Sequence, residues 1–230
     1  MDPGADENLD QVEEYCQYDI RIRSIREIPK VELYAKLRTL RIMHCSHLRS
    51  MAGIEKLSQL EEINLSSNKI QQIEGVSNLP NLVSLNLSCN ELTSLDGLAG
   101  AKSLQKLIVS HNQIHTLSHL KQLWGDDNNL VVLDLADNEI SVLRELTNLS
   151  GCSKLRELTF NGGKHQNNPI CSQNGYLQSV IRSVPHLDIL DKKSVLELSL
   201  SESESSDFIP TRDSIRESLQ EIHQRQSGQK

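Results

Sequence analysis

Three histidines, His111, His115 and His119, recur at every fourth residue. On a single helix that spacing would aim three imidazoles to one side, and three imidazoles with an open fourth position suit a zinc ion. Five cysteines, Cys16, Cys45, Cys89, Cys152 and Cys171, offer soft ligands or nucleophiles. Neither set survives a reading of the elements that must carry it. His111 closes a strand-like alternation, His115 falls in the turn beyond it and His119 in the segment that returns, so the three cannot meet at one ion. The cysteines are odd in number, widely spaced and without a CxxC pair, which predicts free buried thiols in a reducing compartment. The sequence has no Gly-rich phosphate loop and no nucleophile elbow, and its acids fall at variable positions where most should be solvated. The expectation is no catalytic residue, no metal and no cofactor.

The elements themselves follow from a repeat. The frame L-x-x-L-x-L-x-x-N-x-[IL]-x-x-[IL] runs from Leu60 through Ile63, Leu65, Asn68, Ile70 and Ile73. It returns from Leu82 to Leu95 around Asn90, from Leu104 to Leu117 around Asn112, and from Leu130 to Leu143 around Asn138. Leu37, Leu40, Ile42 and Cys45 begin a copy with Cys in the Asn place, and Tyr15, Tyr18, Ile20, Ile25 and Ile28 fit a degenerate one before it. Leu155, Leu158 and Phe160 begin a last copy that loses its Asn. The L-x-L step has the period of a strand with its leucines inward. The remainder of each copy must return as a turn of helix or 3₁₀. One copy cannot bury its own leucines, so the copies must stack, strands parallel, in an α/β solenoid. The return side is the bulkier, which bends the stack into a horseshoe with its sheet on the concave side. The Asn column is structural: at the turn out of each strand its amide satisfies buried backbone groups.

The array needs a cover at its end. Asn168-Pro169-Ile170-Cys171 is followed by Tyr176, then by helical spacing to Val184 and a stop at Pro185. Tyr176, Ile181, Leu187 and Leu190 are expected to close the last apolar layer. The resulting division is an acidic disordered leader at 1–14, about six repeats at 15–163 with the first and last degenerate, and a helical cap at 164–195. A Ser/acid-rich linker follows at 196–210 and the start of an amphipathic, coiled-coil-like helix at 211–230. Ser199 and Ser201 each stand three residues before an acid, a pattern that suits acidophilic kinases. Ile215, Leu219 and Ile222 form a narrow apolar seam for self-association, too short to be stable unaided.

The 22-residue frame and the N-P-x-C … Y … P-x-L-x-x-L-D cap resemble the leucine-rich repeats of intracellular proteins, a class that includes phosphatase regulators, spliceosomal proteins and axonemal dynein light chains. Three details are similar to the centrosomal leucine-rich repeat and coiled-coil domain-containing family. One is the stretched copy Asn129–Ile140; another is Leu155–Phe160 with its polar insert before Asn168; the third is a tail that starts a coiled coil directly after the cap. This resemblance implies a cytoplasmic protein-binding role at centrosome, centriole or cilium base. The class at large implies two alternatives: a regulatory subunit that docks a phosphatase or other enzyme, and a ribonucleoprotein component that binds an RNA-binding protein.

Strand side chains that do not point inward make the concave face. The expected partner-binding residues are Arg41, Glu62, Asn64, Ser84, Asn86, Lys106, Ile108, His111, Val132, Asp134, Asp137 and Glu157. Ile108 and Val132 are the apolar centre of this surface. Trp124, the only tryptophan, sits in the insertion Trp124–Asn129 and either packs under its own loop or anchors a partner.

Composition agrees. Of 230 residues, 35 are Leu and only seven aromatic, which fits an aliphatic lattice better than an irregular enzyme core. The net charge of −7 is concentrated at the ends: −6 over residues 1–18 and −3 over 196–230, against +2 between them. That distribution offers no field for nucleic acid or anionic lipid, so the expected partners are proteins. No apolar stretch approaches the ~18 residues of a membrane span, and Met1–Glu14 has six acids and no base, unlike a signal peptide.

Overall fold

The computed structural model describes residues 17–20, 26, 28, 36–163 and 167–205. The chain divides into two units, Met1–Lys192 and Lys193–Lys230. Among the described residues of the first, eight short strands lie side by side in chain order: β1 (Gln17–Ile20), β2 (Thr39–Ile42), β3 (Glu62–Asn64), β4 (Ser84–Asn86), β5 (Lys106–Ile108), β6 (Val132–Asp134), β7 (Glu157–Thr159) and β8 (Ile189–Leu190). Each pairs in parallel with the next. The register is that of the sequence frame. Leu40, Ile63, Leu85, Leu107, Leu133, Leu158 and Leu190 fall in one column, and Tyr18 stands opposite Leu40 as the degenerate first copy requires. Tyr15 and Ile25 lie outside the described residues.

The chain returns through short 3₁₀ segments at Ile54–Lys56, Val76–Asn78, Ser118–Leu123, Leu143–Leu149 and Pro169–Ser172. Between them and the strands, the frame positions are sealed: Leu60, Ile63, Leu65, Ile70 and their counterparts in later copies are 0–1% exposed. Each such side chain contributes roughly 1.5–3 kcal/mol by leaving water. Not all the acids are solvated. Glu74 accepts from the Met51 N–H at 3.0 Å and from the Ser50 hydroxyl, and Glu145 accepts from the Leu117 N–H at 2.7 Å. Both tie one return segment to the next.

The Asn column forms a ladder. Asn90 Nδ2 donates to Leu65 O of the preceding copy and to Leu87 O of its own, each at 3.0 Å, while its Oδ1 accepts from Ile70 N–H at 3.0 Å. Asn112 and Asn138 repeat this pattern one and two copies on. The last copy does not lose its Asn, as the sequence suggested. Asn168, 0% exposed, reaches back to donate to Leu135 O at 2.7 Å and Phe160 O at 2.9 Å, and accepts from Ile140 N–H at 3.1 Å. The buried carbonyl of Leu135 and N–H of Ile140 need a partner whatever the intervening chain length, so Asn168 keeps the place of the ladder though not its spacing.

The cap helix α1 (Tyr176–Ser183) stops before Pro185, as expected. Its seal differs in detail. Leu177, Val180 and Val184 are buried with Leu187 and Leu190, whereas Tyr176 and Ile181 are half-buried. Tyr176 meets Phe160 edge-on at 6.1 Å between centroids and donates its hydroxyl to Asp191 Oδ2 at 2.9 Å. Asp191 Oδ1 accepts from the N–H groups of Phe160 and Asn161 at 2.7 and 2.8 Å. One carboxylate thus replaces the neighbour that the last turn lacks. Burial, against these donors, pushes the Asp191 carboxyl above its ordinary value.

A pH effect follows. The folded chain holds the Asp191 proton more tightly than the unfolded chain does, so this group favours folding more as pH falls through its raised pKa. Asp191→Asn keeps the Oδ1 acceptor, suits the left-handed φ of 52° and cannot titrate. The melting temperature of the wild type relative to this variant should therefore rise between about pH 7 and about pH 4. A difference that stays constant over that range would contradict it.

In the second unit, α2 spans Val195–Ser205. Residues 196–205 of the expected 196–210 linker are thus helical, because Leu196, Leu198 and Leu200 with Glu197, Glu202 and Glu204 favour helix over coil locally. Ser199 donates back to Val195 O at 2.8 Å. The leader at 1–14, the remaining linker and the seam Ile215, Leu219 and Ile222 lie outside the described residues.

Candidate functional site

The outward side chains of the strands fall in two rows. The register sets Thr39, Glu62, Ser84, Lys106, Val132, Glu157 and Ile189 in the first. Arg41, Asn64, Asn86, Ile108, Asp134 and Thr159 make the second. All are outward because the alternate residues, led by Ile63 and Leu85, are consumed by the core.

The structure gathers seven of the expected residues into one shallow groove of about 190 Å³. Arg41, Glu62, Asn64, Ser84, Asn86, Lys106 and Ile108 line it, together with Thr39, which the sequence reading passed over. His111, Val132, Asp134, Asp137 and Glu157 are not part of this groove but continue the face beyond it. Glu62 and Lys106 are exposed, and Asn64, Ser84, Asn86, Ile108, Val132, Asp134 and Glu157 are half-buried. Ser110, Ala136 and Thr159, which the strand count also places outward, are covered, at 5–7% exposure.

Several of these side chains hold the fold as well as the surface. Asn64 Oδ1 accepts from Ser66 N–H at 3.0 Å, Asn86 Oδ1 from Ser88 N–H at 2.9 Å, and Asp134 Oδ1 from Ala136 N–H at 3.0 Å. Each shapes the turn that leaves its strand. Ile108 holds the same position with no such duty. It is the residue of this column whose only evident role is to present apolar surface. The sequence marks Ile108 as apolar centre of the face, but the column Asn-Asn-Ile-Asp also carries the turn-holding role of its neighbours, which the spacing alone does not show.

At the rim, His44, Ser67, Cys89, His111 and Asp137 all have φ between 53° and 60°. His111 Nδ1 lies 2.7 Å from Asp137 Oδ2, across one strand step. This His–Asp pair has the look of a catalytic dyad, but Cys89, one copy earlier, neither donates to nor accepts from it. His115 is exposed, and the half-buried His119 has a buried Nδ1 with no hydrogen-bond partner, so the three histidines lie apart as their elements dictate. Among the described residues no His, Cys, Asp and Glu gather as a metal site.

The thiols depart from expectation at one place. Cys45 and Cys152 are buried and Cys171 half-buried, but Cys89 is exposed. Burial pushes the Cys152 and Cys171 thiols up to about 11, which keeps them protonated and unreactive at neutral pH. Cys16 lies outside the described residues.

Trp124 does not pack under its own loop. It reaches the next return segment, where its Nε1–H donates to Asn148 O at 2.8 Å and its ring lies on Gly151, with no room for a Cβ there. Lys121 Nζ stands 5.7 Å from the ring centroid, and 43% of the residue stays exposed. The ring clasps two copies where the insertion would otherwise leave a gap. Among the described residues, no helix is long and apolar enough to cross a membrane.

Comparison with known proteins agrees with this geometry. A leucine-rich repeat family model matches residues 48–208. Over 99 residues the chain is 34% identical to the U2 small nuclear ribonucleoprotein A' of Candida glabrata, covering 43% of this chain and 35% of that protein. The chain thus spans about a third of the length of that relative. Among solved structures, internalin C2 of Listeria monocytogenes aligns with a TM-score of 0.54 at 20% identity, over 79% of this chain and 82% of that one. An internalin (inlF) of the same organism aligns with a TM-score of 0.53 at 19% identity, over 74% of this chain and 46% of that one. At such identities the likeness is one of fold. With the family match over most of its length and the frame stacked rung on rung, the chain belongs to the leucine-rich-repeat family.

Proposed function

We propose that this chain is a non-catalytic docking module that holds a protein partner across the outward face of its parallel sheet. The observation that carries the proposal is Ile108. In a column where Asn64, Asn86 and Asp134 secure their own turns, it offers a half-buried aliphatic side chain at the end of a polar groove. An apolar centre within a polar surround is the arrangement of a binding hot spot. The finer reading is a cytoplasmic scaffold at the centrosome, centriole or cilium base, supported by the resemblance of the stretched copy and the cap. The sequence spacing of Ile215, Leu219 and Ile222 suits a second contact, through self-association. The similarity to a U2 small nuclear ribonucleoprotein A' favours one other reading, a ribonucleoprotein component that binds an RNA-binding protein.

Ile108→Asn tests the surface. An Asn here mimics its column neighbours and can accept from the Ser110 N–H, so the melting temperature should hold. Affinity purification with the variant should lose the proteins that the wild type retains, with affinity reduced by about tenfold or more. Retention of every partner by the variant would refute docking on this face. Centriolar proteins among those lost support the first reading, and spliceosomal proteins alone the second.

A further inference from the structure

The outward face is electrically lopsided. Over β6 and β7 and the rim beside them stand three carboxylates, Asp134, Asp137 and Glu157. Among the described residues none of them has an ion pair with Lys or Arg, and Asp137 is matched only by the His111 imidazole. Toward β2, the Arg41 guanidinium and the Glu62 carboxylate are 4.0 Å apart and largely cancel, while among the described residues Lys106 has no acidic partner. The apolar pair Ile108 and Val132 sits where the sign changes: the register sets Ile108 beside Asp134, and Val132 between Lys106 and Glu157.

We infer, resting on the docking reading above, that the partner is a protein segment with an aliphatic side chain for Ile108 and Val132, followed by Lys or Arg for the carboxylates of β6 and β7. Charge complementarity selects this occupant. Three like charges beside an apolar floor repel an acidic segment or a phosphate backbone, and they gain most from bases that approach as the floor is covered. The geometry sets the spacing. Adjacent strands are about 4.8 Å apart, so Asp134 of β6 lies one strand step and Glu157 of β7 roughly 10 Å from β5. A helix laid across the strands covers that distance in about two turns, so the bases belong four and seven residues from the aliphatic anchor. Such a segment has one preferred direction, because its opposite end meets Lys106.

The test uses the full chain and short labelled peptides on one Leu/Ala helical frame, with Lys, Glu or Gln at the polar positions, and a single-stranded RNA of similar length. Binding is read by fluorescence anisotropy at low and physiological salt. The Lys peptide should bind at least about tenfold tighter than the Glu peptide, and more weakly as salt rises. The pair Asp137→Asn with Glu157→Lys should erase that preference; the first of these keeps a residue type suited to left-handed φ. The pair Asp126→Asn with Glu139→Lys changes net charge equally at exposed sites off the strands, and should leave the preference intact. Equal loss in both double variants would reduce the effect to net charge and overturn the inference. Tighter binding of the Glu or Gln peptide, still abolished by Ile108→Asn, would keep the docking face and overturn the partner chemistry. Binding of none of the peptides, or of RNA above all, would overturn the docking reading itself.

Discussion

Asn112→Ala should lower the unfolding free energy by about 3–5 kcal/mol and the melting temperature by on the order of 10 °C. Its amide donates to Leu87 O and Val109 O at 3.0 Å and to Ser110 O at 3.2 Å, and its Oδ1 accepts from Leu92 N–H at 2.9 Å. Alanine leaves the Leu87 carbonyl and the Leu92 N–H inside a stack that water does not enter, and each such orphan costs about 1–3 kcal/mol. Asn112→Asp should be no better: it keeps one acceptor but turns a negative oxygen on three carbonyls. The contrast is Asn129→Ala. Asn129 Nδ2 also bonds a preceding copy, at Lys102 O, but in an exposed position where water can replace it. Its loss should stay within about 1 kcal/mol. Chemical denaturation of the three variants checks the order, and an Asn112→Ala chain as stable as Asn129→Ala would refute the ladder.

The second large effect is steric. Gly97 has φ of 96°, and a Cβ there would overlap the Ile73 carbonyl oxygen and stand 2.7 Å from its carbon. The obstacle is backbone of the adjacent copy, which cannot swing aside as a side chain would. Gly97→Ala is expected to lose about 3 kcal/mol or more from backbone strain and overpacking together. Gly125 has φ of 118° with nothing within 4 Å of its would-be Cβ. Gly125→Ala should therefore lose only the conformational part, about 1–2 kcal/mol. Thermal melting of the pair separates the two causes, and equal losses would mean that the close approach at Ile73 carries no weight.

These residues also mark what could be read in advance. The frame was legible because its spacing is imposed by stacking: Asn68, Asn90 and Asn112 must recur together with the strands they serve, so a search by interval finds them. Asn168 escapes a search by interval because it stands eight residues beyond Phe160, whereas Asn68 stands three beyond Leu65. A backbone group asks for a partner, not for a partner at a given distance along the chain. The strand rows were legible from alternation, and with them most of the face. What alternation could not supply is depth. Thr159, Ser110 and Ala136 have outward parity yet lie covered, and Asn64, Asn86 and Asp134 turn toward their own backbones. Ile189, 37% exposed beside Glu157, was hidden within a cap motif read only for Leu187 and Leu190. Trp124 declared an insertion, but its partner across the boundary, Asn148, is visible only in three dimensions.

The even pitch of the strands bears on how the chain reaches this state. The first pairing joins residues 22 apart, Gln17 with Thr39, and the last joins residues 32 apart, Glu157 with Ile189. Because closure entropy rises only by about 0.6 kcal/mol per doubling of loop length, these closures are nearly equal in difficulty. No long excursion must be made before a distant contact rewards it. Once any two neighbours have docked, the next finds a ready template on either flank, so assembly advances like a zip from whichever pair forms first. During synthesis the N-terminal pairs are the first available, and each new rung can settle on its predecessor as it emerges from the ribosome.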